Sequence, residues 1–301
     1  MILTLGDSVT WGQGLVDEHK FDRIYAAGRD LTRLAHSGAI VGTAADTSTE
    51  SVHPEIPVPY PSIWQQMSSV GDWSEIDRVI VNGGINDVSV TRIVNPQKTT
   101  GTIAGLTLQF CMAEMSDLLT ALAGKVKADA RIGVVGYFPI LSPRSFSQGS
   151  MSSAQEKQAR MLMEMHGIAT RSEAMGVTAD ARGLIERIVE NSMTFWIASR
   201  DALKVAAANA NGVAGREVCV YVEPPFTEAN SLWADHPLLW ELDLALNATD
   251  ELRPLRDMEC EKLYGDLAHL IPWAVCDRAS VGHPNVEGAA KIAEALTAAL
   301  G

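Results

Sequence analysis

The chain begins with Met1-Ile-Leu-Thr-Leu-Gly-Asp-Ser8-Val-Thr-Trp-Gly12-Gln-Gly14. An apolar run ends on Gly6-Asp7-Ser8, and two more glycines follow. A run of this kind that stops at a glycine reads as a strand buried on both faces of a parallel sheet. In such sheets ligands gather at the carboxyl ends of the strands. Ser8 therefore sits where a nucleophile would be presented, although a simple strand-to-loop turn would carry a serine equally well.

Three further runs repeat the pattern: Arg78–Asn82 (RVIVN), Arg131–Gly136 (RIGVVG) and Glu217–Val222 (EVCVYV). Ala35–Val41 (AHSGAIV) is a weaker candidate. Helical spacing of apolar residues marks Thr102–Lys127, Ala154–Met175 and Gly183–Asn209. Val286–Leu300 is an Ala-rich helix with Pro284 just ahead of it. Strands alternating with helices predict a three-layer α/β/α sandwich in one domain over residues 1–301. Two stretches read as loop excursions, Thr43–Pro61 and Glu223–Ile271. The cluster Trp233, Leu238, Leu239 and Trp240 in the second predicts either a satellite core or a flap.

The net charge of −13 repels phosphate backbones and anionic membrane surfaces. Nucleic acid and stable membrane association are therefore not expected. Cys111, Cys219, Cys260 and Cys276 form no C-x-x-C pair, which speaks against zinc-ribbon and thioredoxin chemistry. Cys111 and Cys219 lie in apolar runs and read as buried thiols, and the usage fits a reducing compartment. The first apolar stretch, about five residues long, is too short for a signal-peptide core. A cytoplasmic location is expected, unless the chain is trimmed from a longer precursor.

A serine hydroxyl becomes a nucleophile only when a base takes its proton. Seven histidines are available: His19, His36, His53, His166, His236, His269 and His283. His283 stands in a Gly-His-Pro-Asn turn that opens the last helix. An acyl-transfer site also needs donors for a developing oxyanion. Val79-Ile-Val-Asn-Gly-Gly-Ile-Asn86 places an asparagine just past a strand, where an Asx turn is the ordinary alternative. Gly38, in Ala35-His-Ser-Gly38-Ala, offers a backbone N–H with no side chain in the way.

The blocks GDSVTWG, AHSGA, GGINDVS and VGHPNVEG, in this order from Gly6 to Gly288, resemble the SGNH or GDSL-type hydrolases. The positions that match the family name are Ser8, Gly38, Asn86 and His283. The resemblance implies a flavodoxin-like fold with a central parallel sheet of about five strands. It implies a serine esterase or lipase without metal or organic cofactor. Ser8 would attack, His283 would act as base, and the N–H groups of Ser8 and Gly38 with the Asn86 amide would form the oxyanion hole. The substrate would be a small or medium ester. Carbohydrate O-deacetylation, acyl transfer to a second alcohol, and a non-catalytic small-molecule or carbohydrate-binding role are the alternatives on the same site.

One position departs from the family. An acid usually stands three residues before the histidine, and here Ser280 does. Three partners for the imidazole remain open: Asp277, six residues upstream; Ser280 or a nearby backbone carbonyl, giving a dyad; or an acid from elsewhere. Asp266 and His269 also have the Asp-x-x-His spacing, but they lack the Pro-Asn context. Asp7 and Asp87, next to Ser8 and Asn86, are expected to bond backbone amides of their turns.

Overall fold

The computed structural model describes residues 1–42, 62–146, 152–168, 181–264 and 276–301. The excursion Thr43–Pro61, the end of the Ala154–Met175 helix, and His53, Asp266 and His269 lie outside the described residues.

Five parallel strands form one sheet in the order β2-β1-β3-β4-β5. They are β1 Ile2–Leu5, β2 Leu31–Arg33, β3 Arg78–Val81, β4 Arg131–Val135 and β5 Cys219–Val222. Ile2, Leu3, Leu5, Val79, Ile80, Val81, Ile132 and Val134 are buried, as helices on both faces require. The long helix Ala181–Ala214 packs with Thr100–Thr107, Met115–Lys125 and β5. The C-terminal helix Val286–Leu300 packs with Phe21–Ala26, β4 and β5. Gly133 in β4 lets it approach, since a Cβ there would lie 2.8 Å from Leu300 Cδ1.

The fifth strand is not where the sequence placed it. Ala35–Val41 forms a turn, and the edge strand is Leu31–Arg33. The apolar character of the former reflects burial in a loop, with Ala35, Ala39 and Val41 all buried. The edge strand has three half-buried or exposed residues and so carries no apolar run. The helix expected over Thr102–Lys127 is continuous but changes its winding. Leu108–Glu114 is a π-helical segment between the α-helices Thr100–Thr107 and Met115–Lys125.

The aromatic and leucine cluster of the excursion after β5 belongs to the main core. Leu232, Leu238 and Leu239 are buried in the same apolar cluster as the sheet, with Trp233 and Trp240 packed against it. The cysteines also divide unexpectedly. Cys111 and Cys219 are buried free thiols, but Cys260 and Cys276 form a disulfide. A disulfide suits an oxidising setting, so the four cysteines do not read as a reducing-compartment set. Among the described residues no helix is long and apolar enough to cross a membrane.

Candidate active site

The first site element is the turn that ends β1. Gly6 has φ of +132°, a region that L side chains rarely adopt, and a Cβ there would sit 2.5 Å from Asn82 Oδ1. Gln66 satisfies both backbone groups of this glycine. Its Oε1 accepts from Gly6 N at 2.8 Å and its Nε2 donates to Gly6 O at 3.0 Å. Asp7 then caps the short helix Ser8–Trp11, its Oδ1 accepting from Val9 N at 2.9 Å. Ser8 is the first helical residue and is 8 % exposed.

Asp7 is fully buried and bonded on three sides. Asn82 Nδ2 donates to its Oδ1 at 3.1 Å, and the Tyr137 hydroxyl donates to its Oδ2 at 2.6 Å. Burial pushes its pKa up to about 6, against the pull of these hydrogen bonds. Its structural role therefore matches the sequence expectation. The link to Tyr137 was not visible in the sequence. The Tyr137 oxygen also accepts from Ile85 N at 3.1 Å. One hydroxyl at the end of β4 thus joins the serine turn to the turn after β3.

That second turn is Gly83-Gly84, leading into the short helix Ile85–Val88. Gly84 has φ of +117°, and a Cβ there would meet Cys111 Sγ at 2.4 Å. Cys111 belongs to the π-helical segment, which lies directly beneath this turn. Asn86 Nδ2 donates to Ala39 O at 2.9 Å. Asp87 accepts from Val41 N at 2.9 Å and from Gly42 N at 3.0 Å. These three bonds fasten the Gly38 loop beside Asn86. Gly38 takes φ of +79°, which suits glycine.

The third element is the histidine turn. His283 Nε2 lies 2.7 Å from Ser8 Oγ. Its Nδ1 lies 3.2 Å from the backbone oxygen of Ser280. A carbonyl can only accept, so Nδ1 carries the hydrogen and Nε2 is left as an acceptor toward the serine. Burial lowers the imidazole pKa to about 4, which keeps the ring neutral at pH 7. The turn is pinned by the excursion after β5. Trp240 N donates to His283 O at 2.8 Å, Gly282 N to Trp240 O at 3.0 Å, and Asn285 N to Leu238 O at 2.9 Å.

Asp277 does not reach the imidazole. Its carboxylate pairs with Arg278 Nη1 at 3.2 Å, and its carbonyl accepts from Arg256 Nε at 3.0 Å. It also faces Asp257, whose pKa burial and the neighbouring carboxylate raise to about 7. His19 pairs with Glu251 at 2.7 Å, His36 stacks on Trp11, and His236 is exposed. His166 lines the same cavity as Ser8, with Nδ1 at 3.3 Å from Thr91 Oγ1.

Ser8, Gly38, Asn86 and His283 share one cavity of about 260 Å³. Apolar side chains in its lining include Val90, Val94, Ile140 and Leu162. Sequence reading missed Asp250, which forms a buried ion pair with Arg256 behind the histidine turn. Neither residue stands in a motif, and nothing in the local sequence marked them.

No family model and no curated protein matches the chain. Among solved structures it is similar to an extracellular lipase from Streptomyces rimosus. That likeness has 16 % identity and a TM-score of 0.52, over 99 % of this chain and 98 % of the lipase. A phospholipase A1 from Streptomyces albidoflavus NA297 is more distant, at 11 % identity and a TM-score of 0.45, over 80 % of this chain and 87 % of the other. The chain thus shares, over nearly its whole length, the three-layer α/β/α fold of the Streptomyces rimosus lipase, which is the fold its four blocks imply by their resemblance to the SGNH hydrolases.

Proposed function

We propose that the protein is a serine esterase of the SGNH type that works through a Ser8–His283 dyad. The observation that carries this reading is the 2.7 Å approach of Ser8 Oγ to a histidine nitrogen whose acceptor state is dictated by the Ser280 carbonyl. Ser8 Oγ attacks the ester carbonyl carbon while His283 Nε2 takes its proton. The oxygen becomes an oxyanion among the N–H groups of Ser8 and Gly38 and the Asn86 amide. A carboxamide nitrogen carries two hydrogens, so Asn86 can hold Ala39 O with one and the oxyanion with the other. The tetrahedral intermediate collapses, and His283 returns the proton to the leaving alcohol. Water then repeats the sequence on the acyl-enzyme and releases the acid.

No step requires Asp277. The Ser280 carbonyl selects the tautomer and bears on the imidazolium, the duty that a carboxylate performs in a triad. The lining combines apolar side chains, which suit the acyl chain of a small or medium ester, with polar ones such as Gln13, Ser89 and Thr91, which can bond the alcohol part. Turnover of p-nitrophenyl esters of graded acyl length, beside Ser8→Ala, tests the reading. Hydrolysis that vanishes in the variant supports it. Equal turnover by the variant, or none by the wild type at any chain length, refutes it.

A further inference from the structure

We infer that the buried ion pair Asp250–Arg256, acting through Ser280, positions the carbonyl that orients His283. The inference rests on the esterase reading above for its consequence in turnover. Asp250, Arg256 and Ser280 are positioning residues, since none of them touches the serine or a substrate.

Arg256 is a fully buried side chain on the helix Arg253–Tyr264. Its Nη1 and Nη2 grip both carboxylate oxygens of Asp250 at 2.8 and 2.5 Å. Its remaining bonds go to the histidine turn: Nε to Asp277 O at 3.0 Å and Nη2 to Ser280 Oγ at 3.3 Å. Ser280 is itself fully buried and donates its hydroxyl to Asp250 Oδ2 at 2.6 Å. The hydroxyl therefore points back to the ion pair while the carbonyl of the same residue points forward. That carbonyl accepts from His283 N at 2.9 Å and lies 3.2 Å from His283 Nδ1.

The same helix carries a second tie. Cys260, one turn beyond Arg256 and so on the same side, is bonded to Cys276. Both ties end on the segment 276–280. A buried ion pair is a poor stabiliser compared with well-packed apolar residues, because its desolvation is costly. Its value lies in fixing geometry, and here the fixed object is one carbonyl group. The chain thus keeps a carboxylate behind the histidine, with Ser280 standing between it and the ring. Asp250 holds the residue that holds the ring.

The test uses Ser280→Ala and Asp250→Asn in the full-length protein, with kcat and KM measured on p-nitrophenyl butyrate. In parallel, the imidazole Nδ1–H proton of His283 is followed by NMR in the unreactive Ser8→Ala background. We expect kcat to fall ~10–100-fold at nearly constant KM. We expect the Nδ1–H resonance to shift upfield or be lost to exchange. The inference is overturned if both variants keep kcat within about twofold. It is overturned equally if kcat falls while the resonance stays in place, since the effect then lies away from His283. Should Asp250→Asn fail to fold, Ser280→Ala removes only a hydroxyl and carries the test. A wild type that hydrolyses no ester would defeat the esterase reading, and the resonance would still decide for or against the positioning network.

Discussion

The serine turn and the histidine turn solve the same problem by different means. The serine turn grows directly out of the sheet. Its supports are Asn82 and Tyr137, which stand just past the ends of β3 and β4 and bond Asp7, and Gln66 on the helix Ile63–Ser68, which bonds both backbone groups of Gly6. Among the described residues the histidine turn follows no strand. It is held from outside by the strip Leu238–Trp240, by the ion pair Asp250–Arg256 and by the disulfide Cys260–Cys276. Strand ends are cheap places to hold a residue, because the sheet already fixes them. A residue held away from the sheet needs added chain, and the excursion after β5 supplies it.

The comparison can be broken most forcefully at its meeting point. His283→Gln is expected to lower kcat by ~10⁶, as much as Ser8→Ala, with the double variant no worse than either. Additive losses in steady-state kinetics would mean that the two turns do not act as a unit. On the serine side, Asn86→Ala is expected to cost ~10²–10³ in kcat while KM changes little. Unchanged kcat would remove the Asn86 amide from the oxyanion hole.

Tyr137→Phe sharpens the contrast further. It leaves Ile85 N without its acceptor and Asp7 Oδ2 without its donor, at a cost of ~1–3 kcal/mol in unfolding free energy. Denaturant titration reads that loss, and an unaffected midpoint would mean that water takes over both bonds. On the histidine side, Asp277→Asn is expected to lower kcat less than ~10-fold, against the ~10⁴-fold loss when a triad carboxylate is neutralised. A loss of the larger size would return Asp277 to the catalytic set.

The two turns also differ in how they meet acid. Burial depresses the pKa of His283 to about 4 and raises that of Asp7 to about 6. In the proposed mechanism the neutral imidazole is the base, so kcat/KM is expected to hold on acidification until pH nears 4 and then decline. A limb close to the ordinary histidine value of ~6.5 would show a solvated ring. The stability effects oppose each other. Between about 6.5 and 4 the unfolded histidine binds the proton that His283 refuses, so His283 makes the fold less stable as pH falls. Between about 6 and 3.8 the folded protein binds the proton at Asp7 first, so Asp7 makes it more stable over that window. Thermal unfolding of Asp7→Asn across this range should show the histidine effect unmasked.

Most of the serine side was legible in the sequence. A strand that ends on Gly-Asp-Ser and another that ends on Asn-Gly-Gly announce their turns through residues only those turns need. The edge strand was misplaced because Leu31–Arg33 is short and half-exposed, whereas Ala35–Val41 is apolar for a loop's reasons. The histidine was legible by its Gly-His-Pro-Asn turn, but its supports were not. Asp250 and Ser280 stand 30 residues apart, and Arg256 lies between them. No periodicity links such positions, so only the folded chain brings them together. The Cys260–Cys276 pair was hidden for the same reason, as two cysteines 16 residues apart announce no partner.

The distance along the chain between the proposed nucleophile and its base has a consequence for how activity would arise. Ser8 and His283 are separated by 275 positions, so their hydrogen bond closes almost the largest loop the chain can form. Contacts of such span form late, because the entropy of closing the loop must be met before they stabilise anything. The serine turn can be complete before the proposed base reaches the serine, since His283 arrives only when the last helix docks on β4 and β5. On the proposed mechanism, ester turnover is therefore a report on completed folding. In refolding from denaturant it should return no earlier than the far-ultraviolet signal of the sheet and helices, and turnover that led that signal would contradict this order of assembly.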